Sequence, residues 1–413
     1  MRLRPRIYSG VPPESRPHIV VLTAFLPWPL TSGGQVRQYH LLDVARRRGR
    51  VTLLADFPDW GTPAERAELA VRWPDVTVGP SSATAADGAD PYVSKPRGHV
   101  RLGARSIRAK LDPRRSKLRT WKHPAVERAL TEALADSAKL LQIEFVQSAR
   151  YVPATTPCPV LLVAHDVVTR RDREARRVGG AHEHVELGGM RARLHERAAF
   201  RRADMVVVTS DEDATEALRL GANHVELVPN GADDRLTAIP VGGAADRLLF
   251  VGAAIHEPNV DAVMWWNREI VPRAPDLPPL RVAGSGWDAF PPMSGVEYLG
   301  FVPDLDALLG SSVIVAPLRV GGGTKLKMIE AMAAGRPIAA TPAAAAGLPI
   351  VPGKEALVER TPDALAEAIR RLLRDAELRR TLGEAARAAV QDLLWSRVAT
   401  RMDAVYDRLL SDR

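Results

Sequence analysis

Val313–Leu318 (VIVAPL) is an uninterrupted apolar run of strand length, and after Arg319 and Val320 it empties into three consecutive glycines, Gly321, Gly322 and Gly323. Such a run predicts a strand of a parallel sheet, where both faces are covered. From Thr324 the pattern turns helical, with Leu326, Ile329, Met332 and Ala333 at three- and four-residue spacings; Gly335 and Pro337 predict its end. Strand, glycine turn and helix N-terminus commit the chain to an α/β architecture and create an anion site. Free N–H groups and the helix dipole converge there, and glycine lets a phosphate approach the backbone.

Lys325 adds a full positive charge in the first turn of this helix. Glu330 lies about a turn and a half further on. A carboxylate cannot help hold phosphate, but it suits a pair of neighbouring hydroxyls such as a ribose diol. The alternative reading of Glu330 is an i,i+3 ion pair with Lys327 on a solvated face. The spacings fit neither a Walker loop nor a dinucleotide fingerprint.

The same grammar opens the chain. His18–Thr23 (HIVVLT) reads as a strand, Phe25–Gly34 as its loop, and Gln35–Arg48 as a helix behind the pair Gly33–Gly34. Further buried-strand runs are Val51–Ala55, Ala138–Glu144, Pro159–Ala164, Asp204–Thr209 and His224–Pro229. A second alternation starts at Arg247–Gly252, with a helix over Asn259–Ile270 and a strand at Leu280–Gly284. The expectation is two doubly wound Rossmann-like domains facing across a cleft, 1–235 and 236–390. A terminal amphipathic helix over 391–413 needs a surface to bury against. Residues 231–246 read as the linker.

Ligands in open parallel sheets bind beyond the carboxyl ends of the strands. Gln142 and Glu144 end one run and His165–Asp166 another, so these residues are placed where chemistry would occur. His165 can hydrogen-bond a sugar hydroxyl or move a proton; the plainer reading makes Asp166 the cap of a helix through Arg170–Arg177. His182, His184 and His195, with Glu183, Glu186 and Glu196, match no common metal-ligand spacing and read as a polar helix face.

A length of 413 residues, a net charge of +8 and 26% charged residues describe a globular chain that favours anionic partners. Much of the excess lies in 95–122, where Asp112 is the sole acid and Trp121 the sole aromatic residue. Nucleic-acid binding is not expected, since stacking platforms and recognition motifs are missing. That segment is instead a candidate contact with a membrane surface or an anionic acceptor. Cys158 stands alone, so no intramolecular disulfide can form. With no apolar run near the roughly 20 residues that span a bilayer, and no apolar core behind the basic N-terminus, a cytoplasmic or peripheral location is expected.

Together, the glycine loop of the first turn, VPNGAD at the hinge, FVGAAIHEPNVDA, VAGSG, LGFVPDLDALL and GGGTKLKMIEAMAAGRPIAAT resemble GT-B glycosyltransferases. More narrowly, they resemble the retaining nucleotide-sugar enzymes of glycosyltransferase family 4. That resemblance implies a UDP-, GDP- or dTDP-sugar held mainly by the second domain, against Gly252, Val302, Gly321, Gly322, Gly323, Thr324, Lys325 and Glu330. Gly33 and Gly34 would lie near the diphosphate. Glu330 matches the glutamate that holds the ribose, and His165 the histidine that contacts the donor sugar. His165, Lys325 and Glu330 are therefore the candidate catalytic residues.

Two departures stand out. Gly322 occupies the position where many members carry a first glutamate, and GAAIHEPNVDA lacks the Arg and Lys that many place after the first strand of this domain. The resemblance implies transfer of a sugar with retention to a glycan, lipid-linked or small-molecule acceptor, without a metal or other cofactor. A nucleotide-sugar epimerase on the same fold and a non-catalytic nucleotide- or polyanion-binding protein are the alternatives.

Overall fold

The apolar runs pair as two sheets in the computed structural model, which describes residues 15–55, 62–79, 122–170, 173, 188–243, 246–320 and 325–411, with 188–191 as backbone only. The first sheet joins β1 (His18–Thr23), β2 (Arg50–Ala55), β3 (Val76–Gly79), β4 (Ala138–Glu144), β5 (Val160–Val163), β6 (Met205–Val208) and β7 (Val225–Leu227) in the order β3-β2-β1-β4-β5-β6-β7. The second joins β8 (Arg247–Val251), β9 (Leu280–Ala283), β10 (Val296–Gly300), β11 (Ser312–Ala316), β12 (Ile338–Ala340) and β13 (Leu357–Val358) in the order β10-β9-β8-β11-β12-β13. All their ladders are parallel. This is why the strands were legible as continuous apolar runs.

Helices α1 (Gly33–Arg48), α2 (Pro63–Arg72), α3 (Pro124–Ala135), α4 (Gly188–Arg202) and α5 (Asp211–Leu220) belong to the first half. Helices α6 (Glu257–Trp265), α7 (Asp306–Gly310), α8 (Leu326–Ala333), α9 (Pro342–Ala345), α10 (Pro362–Arg374) and α11 (Ala376–Ala389) belong to the second. The helix expected over Asn259–Ile270 is α6 followed by a π-type turn, Trp266–Ile270, whose two end residues are both buried. Each sheet has one point where the strand order reverses, between β1 and β4 and between β8 and β11. Consecutive connections leave on opposite faces there, and a crevice opens beyond the strand ends.

The terminal helix α12 (Trp395–Ser411) finds its surface on the first sheet's side. Val398, Met402, Val405 and Tyr406 are buried in one cluster with Leu41, Leu42 and Ala45 of α1. Its entry is tied to the hinge: Ala232 N–H donates to Leu393 O, and Trp395 N–H donates to Ala232 O, each at 2.9 Å. Asp234 caps its start by accepting from Ser396 N–H and Oγ–H. Trp395 stacks on His40 at 4.5 Å and also covers Gly231, where a Cβ would lie 2.7 Å from the indole. The glycine of VPNGAD is thus a seat for the crossing helix. Gly231→Ala is expected to cost about 1–3 kcal/mol through overpacking, read as a lower urea midpoint by circular dichroism.

A crevice-to-crevice site at two glycine-led helices

At the first reversal point the loops after β1 and β4 bring Phe25 and Phe145 together, ring centroids 4.7 Å apart. Phe145 has φ 67°, a strained conformation for a side chain of this size. It lays its ring on the His165 imidazole at 3.8 Å and 13°. His165, just beyond β5, places Nε2 2.5 Å from Oε2 of Glu144, whose carboxylate is fully buried. The other oxygen of Glu144 accepts from Gln142 Nε2 at 2.6 Å, and Gln142 Oε1 accepts from Tyr406 Oη of α12 at 2.5 Å.

This chain has one polarity. A carboxylate only accepts, so His165 carries its proton on Nε2 and presents a lone pair at Nδ1. Nδ1 is buried and has no hydrogen-bond partner among the described residues. Burial lowers the His165 pKa below its ordinary value, against the opposing pull of Glu144, so the ring is neutral at pH 7.

Gly33 and Gly34 form the first residues of α1, behind the N-cap Ser32. A Cβ on Gly34 would sit 3.4 Å from Phe145 and 3.5 Å from Phe25, and one on Gly33 would meet Leu326 Cδ1 at 2.9 Å. Leu326 is the first residue of α8, so the two glycine-led helices touch across the cleft. Arg37, one turn along α1, is buried and fans its guanidinium onto Val228 O at 2.6 Å, Pro229 O at 2.7 Å and Asn230 Oδ1 at 3.2 Å. It locks the helix behind the first glycine turn to the hinge. Sequence reading missed it, because all three acceptors lie about 190 residues away.

In the second domain α8 starts at Leu326, not Thr324, because Lys325 keeps an extended backbone at φ −87° and ψ 103°. Gly335, at φ 62°, ends it as the sequence predicts. Glu330 projects toward the hinge. Its carboxyl is pushed up to about 7, chiefly by burial and further by Asp233, while Arg235 and Lys327 pull the other way. The solvated ion pair with Lys327 is not what the structure contains. Both residues are half-buried, and Lys327 Nζ donates to Asn259 Oδ1 of α6 at 2.6 Å. The helix interior, set by packing of Met328 and Ile329, turns this face into the protein.

Lys325 projects the other way, with Nζ 3.3 Å from Ala346 O. Gly252 lies at the end of β8, where a Cβ would come 2.7 Å from Asn259. Val302 follows β10 and is half-buried. Gly321, Gly322, Gly323 and Thr324 lie outside the described residues, as do His182, His184 and all but the end of the basic segment 95–122. The polar helix face read for the histidine stretch does not hold at its described end. Glu196 is fully buried and accepts from the N–H groups of Val168 and Thr169, doing the capping assigned to Asp166. His195 Nε2 lies 3.1 Å from Val146 O.

Two parallel Rossmann-like sheets whose crevices face each other define the GT-B glycosyltransferase fold. Within it, residues 245–375 match the family model described as glycosyl transferases group 1. The chain is similar to sucrose-phosphate synthase from Thermosynechococcus elongatus, with a TM-score of 0.70 and 18% identity over 96% of this chain and 100% of that one. It is also similar to HepE of Anabaena solved with UDP, with a TM-score of 0.63 and 15% identity over 95% and 100% of the two chains. For the trehalose 6-phosphate synthase of Burkholderia multivorans the values are 0.58 and 13%, over 96% and 97%. At such identities these likenesses speak for the fold alone. No curated protein matches the sequence.

Proposed function

We propose that this protein transfers a sugar from a nucleoside diphosphate-sugar to an acceptor hydroxyl, with retention of anomeric configuration and with diphosphate charge met by the protein. The observation that carries the reading is the meeting of Gly33 with Leu326. It sets two helix N-termini, Glu330 and the Glu144–His165 pair around one cleft. Anomeric C–O cleavage sends the electron pair to the diphosphate, where N–H groups and a lysine are suited to the growing negative charge. The acceptor oxygen bonds to the anomeric carbon on the same face, and its proton passes to a departing phosphate oxygen. His165 Nδ1 accepts from a donor-sugar hydroxyl, and Glu330 from the ribose. HepE has been solved with UDP-glucose as well as UDP, so a uridine donor is the first to try.

The test is nucleotide-sugar turnover over UDP-, GDP- and dTDP-sugars with added EDTA, the product anomer being read by NMR. An α-product from an α-donor supports the reading, as does slow donor hydrolysis abolished by His165→Ala. No thermal shift with any nucleoside diphosphate at roughly a hundred times a micromolar Kd would sink it. Release of an epimerised sugar without acceptor would favour epimerase chemistry instead.

A further inference from the structure

We propose that Lys327 is the cation that receives the donor's diphosphate, taking the place of the Arg and Lys absent after β8; the inference rests on the nucleotide-sugar reading above. The strand order puts the reversal of the second sheet between β8 and β11, and Lys327 is the residue that bridges it. It stems from the second position of α8, which follows β11 in the chain. Its Nζ lies 2.6 Å from Asn259 Oδ1 in the first turn of α6 and 4.1 Å from the centroid of the Phe250 ring near the end of β8. The amine therefore occupies the crevice where ligands of parallel sheets bind.

Its partners hold it without neutralising it. Among the described residues no carboxylate lies within 4.0 Å of Nζ, and Glu330, one turn on, acts on it only at longer range. Arg319 crosses the same crevice, but Asp261 grips its guanidinium through two nitrogens. Lys325 reaches toward Ala346 instead. A half-buried ammonium held by an amide oxygen and an aromatic face is positioned for an anion that is not part of the protein. Burial lowers the Lys327 pKa to about 7, and an arriving diphosphate would draw the amine back to its charged form.

The cradle around it is built. Asn259 Nδ2 donates to Ala253 O at 2.8 Å, which fixes its oxygen toward Lys327. Gly252 leaves room for that amide, since a Cβ there would meet it at 2.7 Å. Gly284 closes from β9, where a Cβ would lie 2.3 Å from Gly252 O. The glycine after β8 thus serves the donor through Asn259 and Lys327.

The experiment compares binding of UDP, GDP, dTDP and ADP with that of the matching nucleosides by calorimetry. Lys327→Met, Lys327→Arg and Lys325→Met are run beside the unaltered protein. Lys327→Met is expected to weaken the preferred diphosphate roughly 10- to 100-fold while leaving nucleoside affinity within about twofold and the melting temperature unchanged or higher, because a desolvated charge is removed. Lys327→Arg is expected to restore part of the loss. Equal losses for nucleoside and diphosphate, or a diphosphate-selective loss confined to Lys325→Met, would overturn the assignment. If the unaltered protein binds none of the four diphosphates, the nucleotide-sugar reading itself fails and takes this one with it.

Discussion

Glu330→Gln is expected to raise the melting temperature at pH 8 by a few degrees while weakening nucleoside diphosphate binding roughly 10- to 100-fold. Both effects follow from one half-buried carboxyl. Burial and Asp233 push its pKa up to about 7 from an ordinary 4.5. Between those values the folded protein binds more protons than the unfolded chain, so stability falls as pH rises through that window. The full cost is present above 7, and a neutral amide removes it. At pH 5 the carboxyl is already protonated in the folded state, so the gain should nearly vanish.

In the proposed site the ribose diol uses both carboxylate oxygens as acceptors, and the amide keeps only one, so affinity is expected to move the opposite way. For the same reason binding by the unaltered protein should weaken as pH falls below 7. Thermal melts at pH 5 and 8 with calorimetry on both proteins decide the matter. An unchanged melting temperature at pH 8 would show that this carboxyl carries no stability cost, and full-strength binding by Glu330→Gln would show that it is not used. Function here would be held at some expense of stability, as is common at binding sites.

The second large effect is expected at Glu144. Glu144→Ala leaves Gln142 and His165 facing a void at a fully buried point. Leaving a buried polar group without its partner typically costs about 1–3 kcal/mol for each group, visible as a lower urea midpoint. Glu144→Gln keeps the shape and is expected to cost far less stability, yet it changes the chemistry. A glutamine offers one acceptor where the carboxylate offers two. If its amide N–H₂ turns to Nε2, the imidazole must take the other tautomer, and Nδ1 changes from acceptor to donor. A wrong tautomer of this kind can cost a factor of order 10² or more in turnover. Steady-state turnover with intact nucleotide affinity is the expected signature of Glu144→Gln. Turnover within threefold of the unaltered protein would show that the tautomer is immaterial. Because Tyr406 of α12 donates to Gln142 at the other end of the chain, Tyr406→Phe should give a weaker version of the same loss.

The strands and the glycine-led helix were legible because their causes are local. A strand covered on both faces must be apolar along its length, which marks β1, β4, β5, β8 and β11 in the sequence. Gly335 and Pro337 end α8 for reasons contained in those two residues. Glu330 was legible as a candidate site residue through its motif, while its partly buried surroundings, with Lys327 turned to Asn259, were not.

What the sequence left open turns on rotation and distance. Lys325 and Lys327 are both near the glycine loop, and each added residue turns a helix by about 100°. A start two residues later than expected, fixed by packing of Met328 and Ile329, decides which amine enters the crevice. Arg37 and Glu196 read as ordinary polar residues of helices, and Glu144 as a residue at a ligand-facing strand end, with no partner assigned to any of them. Apart from Gln142 beside Glu144, the partners named above come from segments 21 to 193 residues away, and only chain closure makes each a buried anchor. The sequence by itself determined two parallel sheets, the glycine-led start of α1 and a carboxylate on α8, because backbone sterics and burial of both sheet faces act over a few residues. The tertiary structure alone decided which charges face the cleft, which tautomer His165 holds and how α12 is fastened, because those depend on partners that meet only when the two sheets and the crossing helix have packed.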